Sequence, residues 1–307
     1  MRHFITTADL TRESALGLFR LAADLKQGWK AGKRTVPLAA RTLALIFEKP
    51  SLRTRVTFEV GIVQLGGRAV YLQGSEIGLG TRESVPDVAR NLSRWVDGIA
   101  ARVHAHATVE TMARVATIPV INALSDFEHP CQALADFFTL WERGVDFTRT
   151  TVAWIGDGNN VCHSVILLGA MLGAKVRVAC PPGFEPDPAV QAEVSRLGPS
   201  LLVTEDPREA ATGADVLYTD VWISMGQEAE RERRLEAFGR YQVNETIVGF
   251  ARPNALVMHC LPAHRGEEVT DAVLDGPQSI VLDQAENRLH AQKAVILQLL
   301  GGGADDA

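Results

Sequence analysis

Short apolar runs alternate with amphipathic stretches of helical length along almost the whole chain. Thr42 to Phe47, Ala69 to Leu72, Gly98 to Arg102, Val120 to Asn122, Val152 to Ile155, Lys175 to Ala179, Leu201 to Thr204, Val216 to Thr219, Leu256 to His259 and Ser279 to Leu282 read as strands. Between them Val56, Val60, Val63 and Gly67 recur near helical spacing, and Cys131 to Glu142, Ser164 to Leu172 and Glu286 to Leu300 read as helices. This alternation predicts an α/β fold with parallel sheets covered by helices. Ten strands over 307 residues imply two domains, each a mostly parallel sheet flanked by helices. The polar turn Arg143 to Thr150 sets the expected boundary, giving domains 1–143 and 144–307. The last helix, about 286–300, is long enough to return to the first domain.

Composition narrows the function class. The formal net charge of −6 argues against general nucleic-acid binding, so any local basic turn is matched to a small anion. No run of about 18 apolar residues is present, so no membrane span is expected. The N-terminus, with Asp9, Arg12, Glu13 and Arg20 among its apolar residues, lacks a signal-peptide profile. The four cysteines are widely spaced, which predicts reduced thiols and no disulfide framework. A cytoplasmic enzyme acting on small molecules fits these features.

The first chemical motif is Phe47-Glu48-Lys49-Pro50-Ser51-Leu52-Arg53-Thr54-Arg55, a basic, hydroxyl-rich turn between a strand and a helix. A helix N-terminus offers unpaired N–H groups and the positive end of its dipole, and the hydroxyls and guanidiniums add donors. The turn reads as a phosphate cradle, or as a solvated turn with Ser51 as a helix cap. His129-Pro130-Cys131-Gln132 presents an imidazole and an amide at another helix start, able to polarise a carbonyl or simply to bond backbone. Gly156-Asp157-Gly158-Asn159-Asn160 follows a strand, but Val161 stands where G-x-G-x-x-G needs its third glycine. The adjacent amides fit either a polar ligand or a turn. Asp220 to Gly226 places a carboxylate and the Ser224 hydroxyl past a strand end, as an amino-acid ligand requires or as an ordinary capped turn. In His259-Cys260-Leu261-Pro262-Ala263-His264, Cys260 is a thiol at a strand end, and no C-x-x-C or H-x-x-x-H spacing for zinc occurs.

Together FEKPSLRTR, HPCQALAD, GDGNN, DVWISMG, HCLPAHRGEEVTD and QAENR resemble, in order and spacing, the ornithine branch of the aspartate and ornithine carbamoyltransferases. The resemblance implies carbamoyl transfer from carbamoyl phosphate to the δ-amine of L-ornithine, giving L-citrulline and phosphate, with no metal or organic cofactor. It implies that Ser51, the Leu52 backbone, Arg53 and Thr54 hold the phosphate, with Arg102 bridging phosphate and carbonyl. His129 and Gln132 then take the carbamoyl carbonyl and amide. Asn160 and the Met225 backbone take the ornithine carboxylate, and Asp220 and Ser224 its α-ammonium. Cys260, the Leu261 carbonyl and Arg288 address the reacting centre, so that Cys260, Arg102, His129 and Asp220 carry the catalysis.

Two positions depart from the family pattern. Leu52 stands where a threonine is frequent, which leaves only a backbone contact there. Glu76 takes a position often held by a neutral donor in the loop Gln73 to Glu83, which in the family reaches the neighbouring subunit's carbamoyl phosphate. A carboxylate beside phosphate is repulsive, so Arg82 is the expected contact in trans. The family also implies a homotrimer or a multiple of trimers, with no nucleic-acid or membrane partner. The rivals are a carbamoyltransferase for putrescine or an N-acylated ornithine, a dinucleotide-binding oxidoreductase, and a catalytically silent homologue.

Overall fold

In the computed structural model, residues 1–198, 200–224 and 228–301 are described, apart from the side chain of residue 228. They contain nine strands: β1 (Thr42–Phe47), β2 (Arg68–Gln73), β3 (Gly98–Arg102), β4 (Val120–Leu124), β5 (Thr151–Ile155), β6 (Lys175–Ala179), β7 (Leu201–Thr204), β8 (Val216–Thr219) and β9 (Leu256–His259). Every pairing between them is parallel. The tenth expected strand, Ser279 to Leu282, is not one. Ser279 makes an isolated bridge to Val257, and the final helix, Val281–Leu300, starts at Val281 instead of Glu286. Its apolar run is divided, with Val281 buried and Leu282 exposed, and periodicity alone does not separate so short a run from a helix start.

The chain clusters into two compact units, Met1–Phe138 with Glu286–Ala307, and Thr139–Ala285. The first unit holds a four-stranded sheet in the order β2-β1-β3-β4. β1 is buried from Leu43 onward, as a central strand covered on both faces must be, whereas β2 at the edge is half exposed. Helices flank this sheet, among them Arg12–Lys30, Leu52–Gln64 and Val85–Trp95. The C-terminal helix joins them through buried Ala294, Val295 and Ile296, with Lys26 Nζ donating to Asn287 Oδ1 at 2.8 Å.

The second unit holds a five-stranded sheet in the order β7-β6-β5-β8-β9. Trp154 on β5 and Tyr218 on β8 meet within the sheet at 4.9 Å between ring centroids. On one side Trp222, Phe238, Tyr241 and Val243 join a shared core with Ile155 and Leu217. None of the described helices is long and apolar enough to cross a membrane.

Each sheet reverses its strand order once near its middle. The reversal falls between β1 and β3 in the first and between β5 and β8 in the second. Connections leave such adjacent strands toward opposite faces, opening a crevice at their carboxyl ends. The segments there are Glu48 to Thr54 with Arg102, and Gly156 to Asn160 with Asp220 to Ser224.

The start of the chain is held to the first unit by Glu128, which is fully buried. Its carboxylate accepts from the Thr7 backbone N–H at 3.0 Å, the Thr7 hydroxyl at 2.8 Å and the Thr6 hydroxyl. Glu128→Ala leaves the Thr7 donors buried and unsatisfied. It is expected to cost about 2–4 kcal/mol in urea unfolding, and a loss within the error of the measurement would show that this anchor is dispensable.

Candidate active site

In the first unit, Ser51 is the N-cap of helix Leu52–Gln64. Its hydroxyl accepts from the Thr54 N–H at 3.3 Å and donates to Thr54 Oγ1 at 3.1 Å. The cap orders the helix end and its free N–H groups, which is the arrangement that anion binding at a helix N-terminus requires. Leu52 opens the helix with its side chain in solvent, so only its backbone faces this chemistry. Thr54 is buried, and its hydroxyl accepts from Arg288 Nη2 at 2.9 Å, which ties the C-terminal helix to the capped turn at Ser51.

Arg102 ends β3 at a register shift between Ala101 and Arg102, a break in the ladder that re-aims the last side chain of the strand. His129 immediately precedes helix Pro130–Glu142 and is buried. Burial, then the charges of Arg288, Arg102 and Arg53, hold its imidazole pKa well below the usual 6.5. The positive charges of three guanidiniums thus add to burial in holding the ring neutral at working pH. Gln132, one turn along, donates from Nε2 to Asp136 Oδ1 at 2.7 Å. Because a carboxylate can only accept, this fixes the amide orientation. The buried Gln132 Oε1 is left as an acceptor with no hydrogen-bond partner among the described residues. Cys131 lies beside them, but burial pushes its thiol up to about 12 and makes it inert.

In the second unit, the buried Asp220 follows β8 and accepts three hydrogen bonds. Asn159 Nδ2 reaches Oδ2 at 2.9 Å, while the Val221 N–H at 2.8 Å and Cys260 Sγ at 2.9 Å reach Oδ1. Asn159 is also the N-cap of helix Asn160–Leu172, accepting from the Val161 and Cys162 N–H groups, so Asn160 is the first helical residue. Gly158 explains why the glycines do not make a dinucleotide turn. A Cβ there would lie 2.4 Å from Pro186 N and 2.6 Å from Phe184 O, so the close approach it permits is taken by the protein's own backbone. Asp157 pairs with Arg234 at 2.8 Å, and burial, outweighing Arg234, raises its carboxyl to about 6.

Cys260 and Leu261 follow β9 on a turn set by buried Glu268. Glu268 Oε1 lies 3.0 Å from His259 Nε2 and accepts from the His264 N–H at 2.6 Å. His259 Nδ1 accepts from the Leu261 N–H at 2.9 Å, so the ring proton resides on Nε2. Asp220, His259 and Cys260 come close enough to hold a metal ion, but both His259 nitrogens are committed and offer it no lone pair.

The structure therefore brings Ser51, Leu52, Arg53, Thr54, Arg102, His129, Gln132 and Arg288 to the first unit, and Asp220, Cys260 and Leu261 together in the second. Asn160 stands one residue from the Asn159 bridge to Asp220, and Ser224 is half-buried past β8. Met225 lies outside the described residues. Arg82 is exposed on a tight turn after the short helix Gly74–Ile77, and Glu76 is exposed on that helix. Sequence reasoning missed the roles of Asn159, Asp157 with Arg234, and Glu268. Asn159 alone carried a signal, a cap-forming residue directly before an apolar helical run.

Because the folded state resists protonating His129, while the unfolded chain takes the proton near 6.5, the residue adds stability above pH 6.5 that is lost as pH falls below it. His129→Gln is expected to flatten the decline in unfolding free energy between about pH 7 and 5. Parallel slopes for the two proteins would mean that the ring is not held neutral.

Comparison with known proteins agrees with this division of chemistry. The carbamoyl-P binding domain model of the aspartate/ornithine carbamoyltransferases matches residues 2–142, and the Asp/Orn binding domain model matches residues 148–299. The ornithine carbamoyltransferase of Archaeoglobus fulgidus is 50% identical over 301 residues, covering 98% of each chain. The protein from Pyrococcus furiosus named "Ornithine carbamoyltransferase, anabolic" is 51% identical, covering 98% of this chain and 97% of its own. The solved structure of a P. furiosus ornithine carbamoyltransferase superposes with a TM-score of 0.95 at 51% identity, over 98% of this chain and 97% of that one. That from Thermus thermophilus gives 0.88 at 48%, over 98% and 99%. With both domain models matched and half the residues identical over nearly its full length, this chain belongs to the aspartate/ornithine carbamoyltransferase family, among the ornithine carbamoyltransferases.

Proposed function

We propose that the protein transfers the carbamoyl group of carbamoyl phosphate to the δ-amine of L-ornithine, forming L-citrulline and phosphate in the anabolic direction. The observation that carries this reading is the buried His129, kept neutral by burial and by the charges of Arg288, Arg102 and Arg53, with the unpartnered acceptor Gln132 Oε1 one turn away. A carbamoyl phosphate needs cations and N–H groups for its phosphate, donors for its carbonyl oxygen and an acceptor for its amide. The first unit supplies each kind.

In this reading residues 1–143 take carbamoyl phosphate and 144–307 take ornithine. Ser51, the Leu52 N–H, Arg53 and Thr54 hold the phosphate, Arg102 and His129 the carbonyl oxygen, and Gln132 the amide. Asp220 and Ser224 bind the α-ammonium, and Asn160 with the Met225 backbone the α-carboxylate. An alkyl ammonium has a pKa of about 10.4 and cannot attack until it loses a proton. Cys260 and Asp220 orient the δ-amine and assist that loss. The neutral nitrogen then adds to the carbonyl carbon, and the proton it sheds as the C–N bond forms passes to the departing phosphate. Arg102, His129 and Thr54 stabilise the oxyanion, and Cys260, the Leu261 carbonyl and Arg288 address the reacting centre. As the C–O bond to phosphorus-bound oxygen breaks, phosphate departs with the electron pair and remains held by the cradle. The reading extends to a cytoplasmic homotrimer, or a multiple of trimers, in which Arg82 reaches the neighbouring subunit's carbamoyl phosphate.

Citrulline formation from carbamoyl phosphate is measured with L-ornithine, putrescine, N-acetylornithine and aspartate side by side. Product confined to ornithine is expected, and preference for another amine would overturn the acceptor assignment. Arg53→Ala is expected to raise the KM for carbamoyl phosphate at least tenfold, on the order of one lost charge-assisted contact of about 1.5–3 kcal/mol. Kinetics like those of the parent enzyme would remove Arg53 from the cradle.

A further inference from the structure

Beyond the reacting groups, the turn after β9 gathers three side chains that can ligate a metal, each with a buried polar atom that lacks a hydrogen-bond partner among the described residues. One ligand atom from each of His264, Glu267 and Glu268 lies within 4.8 Å of the other two. In the same three side chains His264 Nδ1, Glu267 Oε2 and Glu268 Oε2 are buried at the atom level and have no hydrogen-bond partner among the described residues. Three orphaned polar atoms in one place are unusual, because buried groups of this kind are nearly always satisfied. We propose that His264, Glu267 and Glu268 form a binding site for one divalent transition-metal ion of the Zn²⁺ or Mn²⁺ type, distinct from the Asp220–Cys260 pair.

The donor set is one imidazole nitrogen and two carboxylates, which suits a borderline divalent ion and balances its charge. His264 Nδ1 and Glu267 Oε2 stand 3.6 Å apart, too far for a hydrogen bond. With metal–ligand bonds of about 2.0–2.2 Å, neighbouring ligands lie roughly 3–3.5 Å from each other, so the spacing already approaches that of a coordination sphere.

The frame is preorganised because the other half of each carboxylate is tied. Glu267 Oε1 accepts from Arg231, and Glu268 Oε1 pairs with His259 Nε2 and the His264 N–H. The backbone is fixed as well. The Glu267 N–H donates to His264 O at 2.9 Å, the Gly266 N–H to Val269 O at 2.9 Å, and the Val243 N–H to Glu268 O at 2.8 Å. Gln242 Nε2 further bonds Gly266 O and Glu267 O. Since Glu268 also orients His259, a bound ion stiffens the turn that carries Cys260 and Leu261. The H-x-x-E-E spacing of His264, Glu267 and Glu268 lies outside the Cys and His spacings by which zinc sites are ordinarily read.

The test is an electron paramagnetic resonance titration of Mn²⁺ with the full-length protein near neutral pH, followed by Zn²⁺ competition. Manganese is chosen because it avoids the Cys260 thiol. One bound Mn²⁺ per chain is expected, displaced by Zn²⁺. Binding should weaken at least tenfold in His264→Ala and in the isosteric Glu267→Gln, and remain in Cys260→Ser. Absence of Mn²⁺ and Zn²⁺ binding at millimolar metal would overturn the proposal. So would equal binding by the parent and both ligand variants, or binding that disappears only with Cys260→Ser.

Discussion

The reversal of strand order in each sheet is the constraint on which the remaining features depend. A parallel sheet must send its crossovers to one face or the other, and where the direction changes no helix covers the strand ends. Both sheets use that place in the same way. The strand on one side leads into a capped helix, at Ser51 in the first unit and Asn159 in the second. The strand on the other side leads to a charged residue, Arg102 as the last residue of β3 and Asp220 directly after β8. Backbone topology thus brings helix N–H groups beside a fixed charge before any side-chain chemistry is specified.

The two strand ends then take opposite characters. The first holds a buried ring that resists taking a charge, because protonating His129 would cost its desolvation and set it against the charges of Arg288, Arg102 and Arg53. A neutral imidazole there remains a hydrogen-bond partner over the whole working pH range. The second is organised around a carboxylate whose three donors are an amide, a backbone N–H and a thiol. A carboxylate can only accept, so the Cys260 proton resides on sulfur in this arrangement. The thiol is accordingly a donor in the free protein, which argues against a covalent cysteine route. An incoming ammonium would compete with that thiol for Asp220 and could take its place without leaving the carboxylate unpaired.

Much of this was legible in the sequence because it rests on local signals. The nine strands were readable as apolar runs, and the Ser51 and His129 turns as polar clusters at helix starts. The missing third glycine at Val161 weighed correctly against a dinucleotide site, although only the structure gives the reason, the backbone of Phe184 to Pro186 lying against Gly158. The false strand at Ser279 arose because a short apolar run before a helix has no period of its own. Asp157 with Arg234, and Glu268 with His259, were illegible for another reason. Long-range partnerships between single charged residues leave no spacing, and a Glu-Glu pair in a polar segment looks like a solvated turn.

Glu268 shows how far such a hidden partner reaches. Leu261 has φ 58°, in the left-handed region that costs a side-chain-bearing residue about 1–2 kcal/mol. Its N–H is held by His259 Nδ1, which can accept only if the ring proton sits on Nε2. Glu268 Oε1 fixes the proton there by accepting from Nε2. A buried carboxylate in one segment therefore selects a tautomer in another, and the tautomer secures a strained backbone beside the Cys260 thiol. With a neutral amide in its place, the ring could flip or exchange its proton, and Leu261 would lose the contact that holds it in that conformation. The carbonyl position at Leu261 is set by that chain of bonds more than by the residue itself, which is why a branched aliphatic side chain is tolerated where glycine would be the unstrained choice.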